Sequence, residues 1–175
     1  MVIVKTKHNM IMGLFVLAVA FCFFMDWAFV PYLTNTEQFI SLSSGSSLAH
    51  GVSAYNFAGF CNDWAAMNGG GTSAGAASGL RIIGVLSTFF WLMGFASLVV
   101  CALRLVLSKK DIGAFSCFVW TIASAGAFAG LVAFANMLIG INSHLYAEAS
   151  PTIWIGIIIA VSIAALFILS SDKSV

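Results

Sequence analysis

The chain has 175 residues, 61% of them hydrophobic and 7% charged, with a formal net charge of +1 at pH 7. Soluble domains carry about 25% charged residues, so the composition excludes an ordinary soluble domain, and the near-neutral charge excludes a basic surface for nucleic acid. The length fits a single membrane domain, 1–175, with no second domain.

The first apolar run covers 10–30 and follows Lys5, Lys7 and His8. A basic start before an apolar run also describes a cleaved leader. At about 20 residues, however, the run can cross a ~30 Å hydrocarbon core. The nearest small-x-small site, Ser47-Leu48-Ala49, lies far past its end. A retained anchor is expected, with Trp27 and Tyr32 as interfacial aromatics and Pro31 as its stop. Asp26 falls inside this span, where a carboxylate needs water or a partner. Either it snorkels or is protonated, or it pairs with Arg81, which sits at the matching outer level just before the second span.

An outer loop, 34–80, follows. Its first part is polar, with Glu37 and the pair Phe39-Ile40. Leu48, Val52 and Tyr55, then Phe60, Trp64 and Met67, repeat at helical spacing interrupted near Gly59. These predict one or two short amphipathic helices on the membrane surface or capping the bundle. Tyr55, Phe60 and Trp64 are the expected partner-binding residues. The segment 69–79 (GGGTSAGAASG) predicts a flexible link. His50, Cys61 and Asp63 lie in this loop and His144 in the next, but their spacing matches no metal-ligand set, so polar surface is the expectation. Cys61 has no second cysteine in its loop, and Cys22, Cys101 and Cys117 lie in apolar runs, where thiols behave as small apolar groups.

The second span is read at 82–107, with Arg104 snorkelling near its inner end and Trp91 packing between helices. Ser108-Lys109-Lys110-Asp111 makes a tight turn that forces the second and third spans to be antiparallel neighbours. The third span is 112–141. It carries Gly126-x-x-x-Gly130 and one polar residue in its outer half, Asn136, expected to join helices. The second outer loop, 142–152, holds His144, Tyr146 and Glu148, Pro151 is expected to start the last helix, and the fourth span is 153–169. Gly156 and Ala160 on that span are expected to pack against Gly126 and Gly130.

Lys5, Lys7, Arg104, Lys109, Lys110 and Lys173 fall on one side, and Arg81 alone falls on the other. Positive charge marks the cytoplasmic side. The expected fold is therefore all-α, a four-helix tetraspan bundle in a plasma or bacterial inner membrane, with both termini cytoplasmic. This plan resembles that of claudin-type proteins: a long first outer loop, a short second one, and both ends inside. That family's first loop carries a Trp-rich motif with a cysteine pair, of which this loop has Gly59, Cys61 and Trp64 and no second cysteine. The resemblance implies topology alone.

The chain lacks a nucleophile–base pair, a H-E-x-x-H motif and paired acids at one depth. It is therefore read as no enzyme, with no cofactor and no metal. The expected function is a subunit or scaffold of a larger membrane assembly, contacting lipids and other membrane subunits through the 34–80 loop. The alternative is an oligomeric channel or transporter.

Overall fold

A computed structural model describes residues 2–31, 49–67, 74–107, 114–142 and 149–171. It is mostly helical: α1 (Val2–Phe23), α2 (Ala54–Met67), α3 (Ala74–Leu107), α4 (Ala114–Asn142) and α5 (Ile153–Ser171). Three short strands, β1 (Ala28–Pro31), β2 (Ala49–Val52) and β3 (Ser150–Pro151), interrupt them. The apolar stretches of α3, α4 and α5 are each long enough to cross a membrane, which makes the chain a transmembrane protein. The apolar part of α1, Met10–Phe23, is shorter.

The strands form an antiparallel sheet in the order β2-β1-β3, with Phe29 opposite both Gly51 and Ser150. The described residues are mostly helical, as expected, but this small sheet was not expected, and the first span, expected at 10–30, ends sooner. α1 stops at Phe23. Phe24 and Met25 donate to the carbonyls of Phe21 and Cys22, three residues back, which tightens the last turn. The chain then extends. Ala28 and Val30 are buried while Phe29 is exposed, the period-two alternation of a strand. Pro31, with no N–H to give a ladder, sits at the strand's end.

α2 runs unbroken through Gly59. Ser53 caps it, its Oγ accepting from Asn56 N at 3.3 Å. Val52, expected in a helix, lies in β2. The segment 74–79, expected to be a link, is the first turn and a half of α3. Alanines at 74, 76 and 77 favour a helix, and Ser78 Oγ returns a hydrogen bond to Ala74 O.

Two compact units divide the chain. The first comprises Met1–Met25, Phe90–Gly126 and Ile153–Val175, and the second comprises Asp26–Phe89 and Ala127–Thr152. In the first unit α1 packs on α5. Met12, Val16, Val19 and Phe23 are buried on α1, and Ile155, Ile158, Ser162, Ala165 and Leu169 on α5, each series at helical spacing. Phe23, Trp91 and Phe95 cluster, with Trp91 and Phe95 stacked at 5.7 Å. Trp91 Nε1 also donates to Phe23 O at 3.1 Å, satisfying a carbonyl that the end of α1 leaves open. Trp91 thus packs between helices as expected.

The expected packing through Gly126, Gly130, Gly156 and Ala160 is not what the helices use. All four positions are exposed, and a Cβ at any of the three glycines would meet nothing within 4 Å. Other residues take the buried faces: Cys117, Phe118, Thr121, Ser124, Ala125, Phe128, Val132 and Ala135 on α4, and Ile155, Ile158, Ser162, Ala165 and Leu169 on α5. A glycine that does sit at a helix crossing in this unit is Gly94. A Cβ there would lie 2.8 Å from Phe23 Cζ and 2.9 Å from Ser124 Cβ, so its absence lets α1, α3 and α4 meet.

Candidate interaction surface

The second unit is built around Trp27. Its ring is fully buried and meets Phe128 edge-on at 5.1 Å. Its backbone N–H donates to Val52 O at 2.8 Å, and its carbonyl accepts from Thr152 N at 2.9 Å. One residue thus ties the segment after α1 to the segments before α2 and α5. Thr152 Oγ1 adds a hydrogen bond to Asp26 O. Trp27, expected at a membrane interface, is a core residue of this unit.

Asn136, half-buried on α4, clasps the backbone of Ala149. Its Oδ1 accepts from Ala149 N at 2.8 Å and its Nδ2 donates to Ala149 O. Its partner is therefore a connecting segment and not a second helix. The pair satisfies both polar groups of a buried residue, as a buried backbone requires.

α2 seats its apolar face inward. Phe57 stacks on Phe60 at 5.9 Å and meets Phe128 at 5.4 Å, and Phe60 contacts Trp64 at 6.3 Å. A Cβ at Gly84 would come within 3.2–3.3 Å of Ala58 and Cys61, so the glycine lets α2 and α3 pack closely there. This packing corrects the expected docking residues. Phe60 (7% exposed) and Trp64 (4%) are core, whereas Tyr55 (66%) is open. Phe29 (46%), on β1 and missed in the sequence, is exposed as well. The sequence carries no local signal for it, since Ala28, Phe29 and Val30 are all apolar. Glycine and a serine flank Phe29 across the sheet, leaving its ring bare.

Asp26 lies exposed in the turn before β1, and its carboxylate covers Gly51, where a Cβ would sit 2.6 Å from Asp26 Cγ. Arg81 is exposed on α3. No ion pair joins Asp26 to Arg81 among the described residues. Each is exposed, so neither needs the other to replace lost water. Asp63 is exposed on α2 and His50 belongs to β2, while His144, Tyr146, Glu148, Tyr32 and Glu37 lie outside the described residues. Among the described residues no three of His, Cys, Asp and Glu come together. Cys61 is fully enclosed, and burial pushes its thiol up to about 12, which keeps it protonated and unreactive at neutral pH.

No protein family, curated protein or solved structure matches the chain.

Proposed function

We propose that this protein is a non-enzymatic subunit or scaffold of a membrane assembly, and that the second unit is the surface by which it holds another membrane protein outside the bilayer. In this reading the chain crosses the membrane four times with both termini cytoplasmic. The pairing of β1 with β3 supports it, because the residues just after α1 and just before α5 then meet on one side. α1 has 22 residues and a length of about 33 Å. It reaches across the core if the ammonium groups of Lys5 and Lys7 extend to the headgroups.

The observation that carries the proposal is the unit's construction. Trp27, Asn136 and Thr152 spend their hydrogen bonds fixing its backbone, while Phe29 and Tyr55 stay exposed on it. A fixed scaffold presenting bare aromatic rings suits protein recognition, where Tyr and Phe are enriched. The test is isolation of the full chain in mild detergent after crosslinking, for the native protein, Phe29→Ser and Tyr55→Ser. A stoichiometric second protein that is lost in either variant is the expected result. A pure homo-oligomer that conducts ions in planar bilayers would overturn the proposal in favour of a channel.

A further inference from the structure

Residues paired across a β-ladder share a face of the sheet. In the second unit Ala28 pairs with Val52 and both are buried, so the other face looks outward. That face carries exposed Phe29, paired with Gly51 on one side and with exposed Ser150 on the other. Gly51 brings no side chain to it. The space a Cβ there would take is filled by the Asp26 carboxylate, whose Cγ lies 2.6 Å from that position. Paired Cβ atoms stand about 4.5–5.5 Å apart, so the carboxylate takes the place of a cross-strand neighbour to Phe29. Asp26 is exposed and makes no ion pair among the described residues. A bare acid is thus set beside a bare ring, on backbone held by the hydrogen bonds of Trp27 and Thr152.

We propose, resting on the protein-binding role of the second unit, that Asp26 and Phe29 seat one arginine side chain of the partner protein. A guanidinium is planar and always charged. It gives paired N–H donors to a carboxylate and lays its face on an aromatic ring. An acid and a ring side by side use both properties at once. A lysine ammonium is a point charge with no plane to lay on the ring. A lipid ammonium brings a phosphate with it, and none of Asp26, Phe29, Gly51 and Ser150 is a base that would receive one.

The experiment irradiates the full chain in mild detergent with a diazirine-tagged Gly-Arg-Gly peptide, or with its citrulline counterpart, which keeps the shape without the charge. Adducts are mapped by mass spectrometry. Arginine adducts are expected on β1 and β2, and citrulline should give about three- to tenfold fewer, the gain that an exposed ion pair with a cation–π contact supplies. Asp26→Asn should bring the arginine yield down to the citrulline yield, and Phe29→Leu should lower it. Equal labelling of the native chain by the two peptides would overturn the proposal, and that comparison needs no variant to fold. A choline lipid that purifies with the native chain and is lost in Asp26→Asn would overturn it in favour of a headgroup. Crosslinking separates this seat from the wider role of the unit. A partner protein held equally by the native chain and Asp26→Asn, but lost in Tyr55→Ser, would sink the arginine seat alone. Arginine-selective adducts with no co-purifying protein would keep the seat and sink the subunit reading.

Discussion

A methyl group at position 94 would press against both Phe23 and Ser124, whereas one at position 130 would touch nothing. Gly94→Leu is therefore expected to cost about 1–3 kcal/mol by overpacking, seen as a lower thermal midpoint in detergent. Gly130→Leu should stay within about 0.5 kcal/mol, as surface changes do. The opposite ranking would mean that α4 packs through its small-residue face after all. At Asn136 the loss is of hydrogen bonds. Asn136→Leu strands the N–H and carbonyl of buried Ala149 and should cost about 1–3 kcal/mol for each group left unsatisfied. Cys61 gives a pH prediction. Burial raises its thiol from 9.0 to about 12, so the folded state favours the neutral form. Its contribution is whole below pH 9.0 and is lost as pH rises toward about 12. Unfolding midpoints compared across that range should fall more for the native chain than for Cys61→Ala, and equal falls would place the thiol in water.

At the scale of the element, α2 separates two kinds of aromatic residue that the sequence grouped together. Trp64→Ala should cost about 3–5 kcal/mol, the range for a buried large aromatic, and Tyr55→Ala about 0.5 kcal/mol or less. Similar losses in the two would show that the helix is not seated as described. Helical spacing over 48–67 pointed to one or two short helices broken near Gly59, where one unbroken helix, Ala54–Met67, forms, and it could not say which side faces inward, since Tyr55, Phe60 and Trp64 are all bulky. α3, α4 and α5 were plain in the sequence because long apolar runs admit few other structures. The strands were not. Each has four residues or fewer, and β1 pairs with partners distant along the chain, so no local period marks them. The run from Trp27 to Val30 reads as a continued helix until its partners are known. Gly94 was invisible for a related reason: it has no small residue four positions away, and only its contacts with Phe23 and Ser124 distinguish it.

On the scale of the whole molecule, the proposed topology puts Lys5, Lys7, Arg104, Lys109, Lys110 and Lys173 on the cytoplasmic side with both termini, as the positive-inside rule favours. α1 decides between three and four crossings, because its apolar part is shorter than those of α3, α4 and α5. If it crosses, Lys5 and Ser174 share a side and Tyr55 lies on the other. The native cysteines are all buried, so introduced ones can be read against a low background. The decisive measurement is labelling of Lys5→Cys, Tyr55→Cys and Ser174→Cys by a membrane-impermeant maleimide, on intact cells and after permeabilisation. Four crossings with the second unit outside predict that Tyr55→Cys labels on intact cells, and that Lys5→Cys and Ser174→Cys label only once the membrane is opened. Labelling of either terminal cysteine on intact cells, or protection of Tyr55→Cys there, would contradict it.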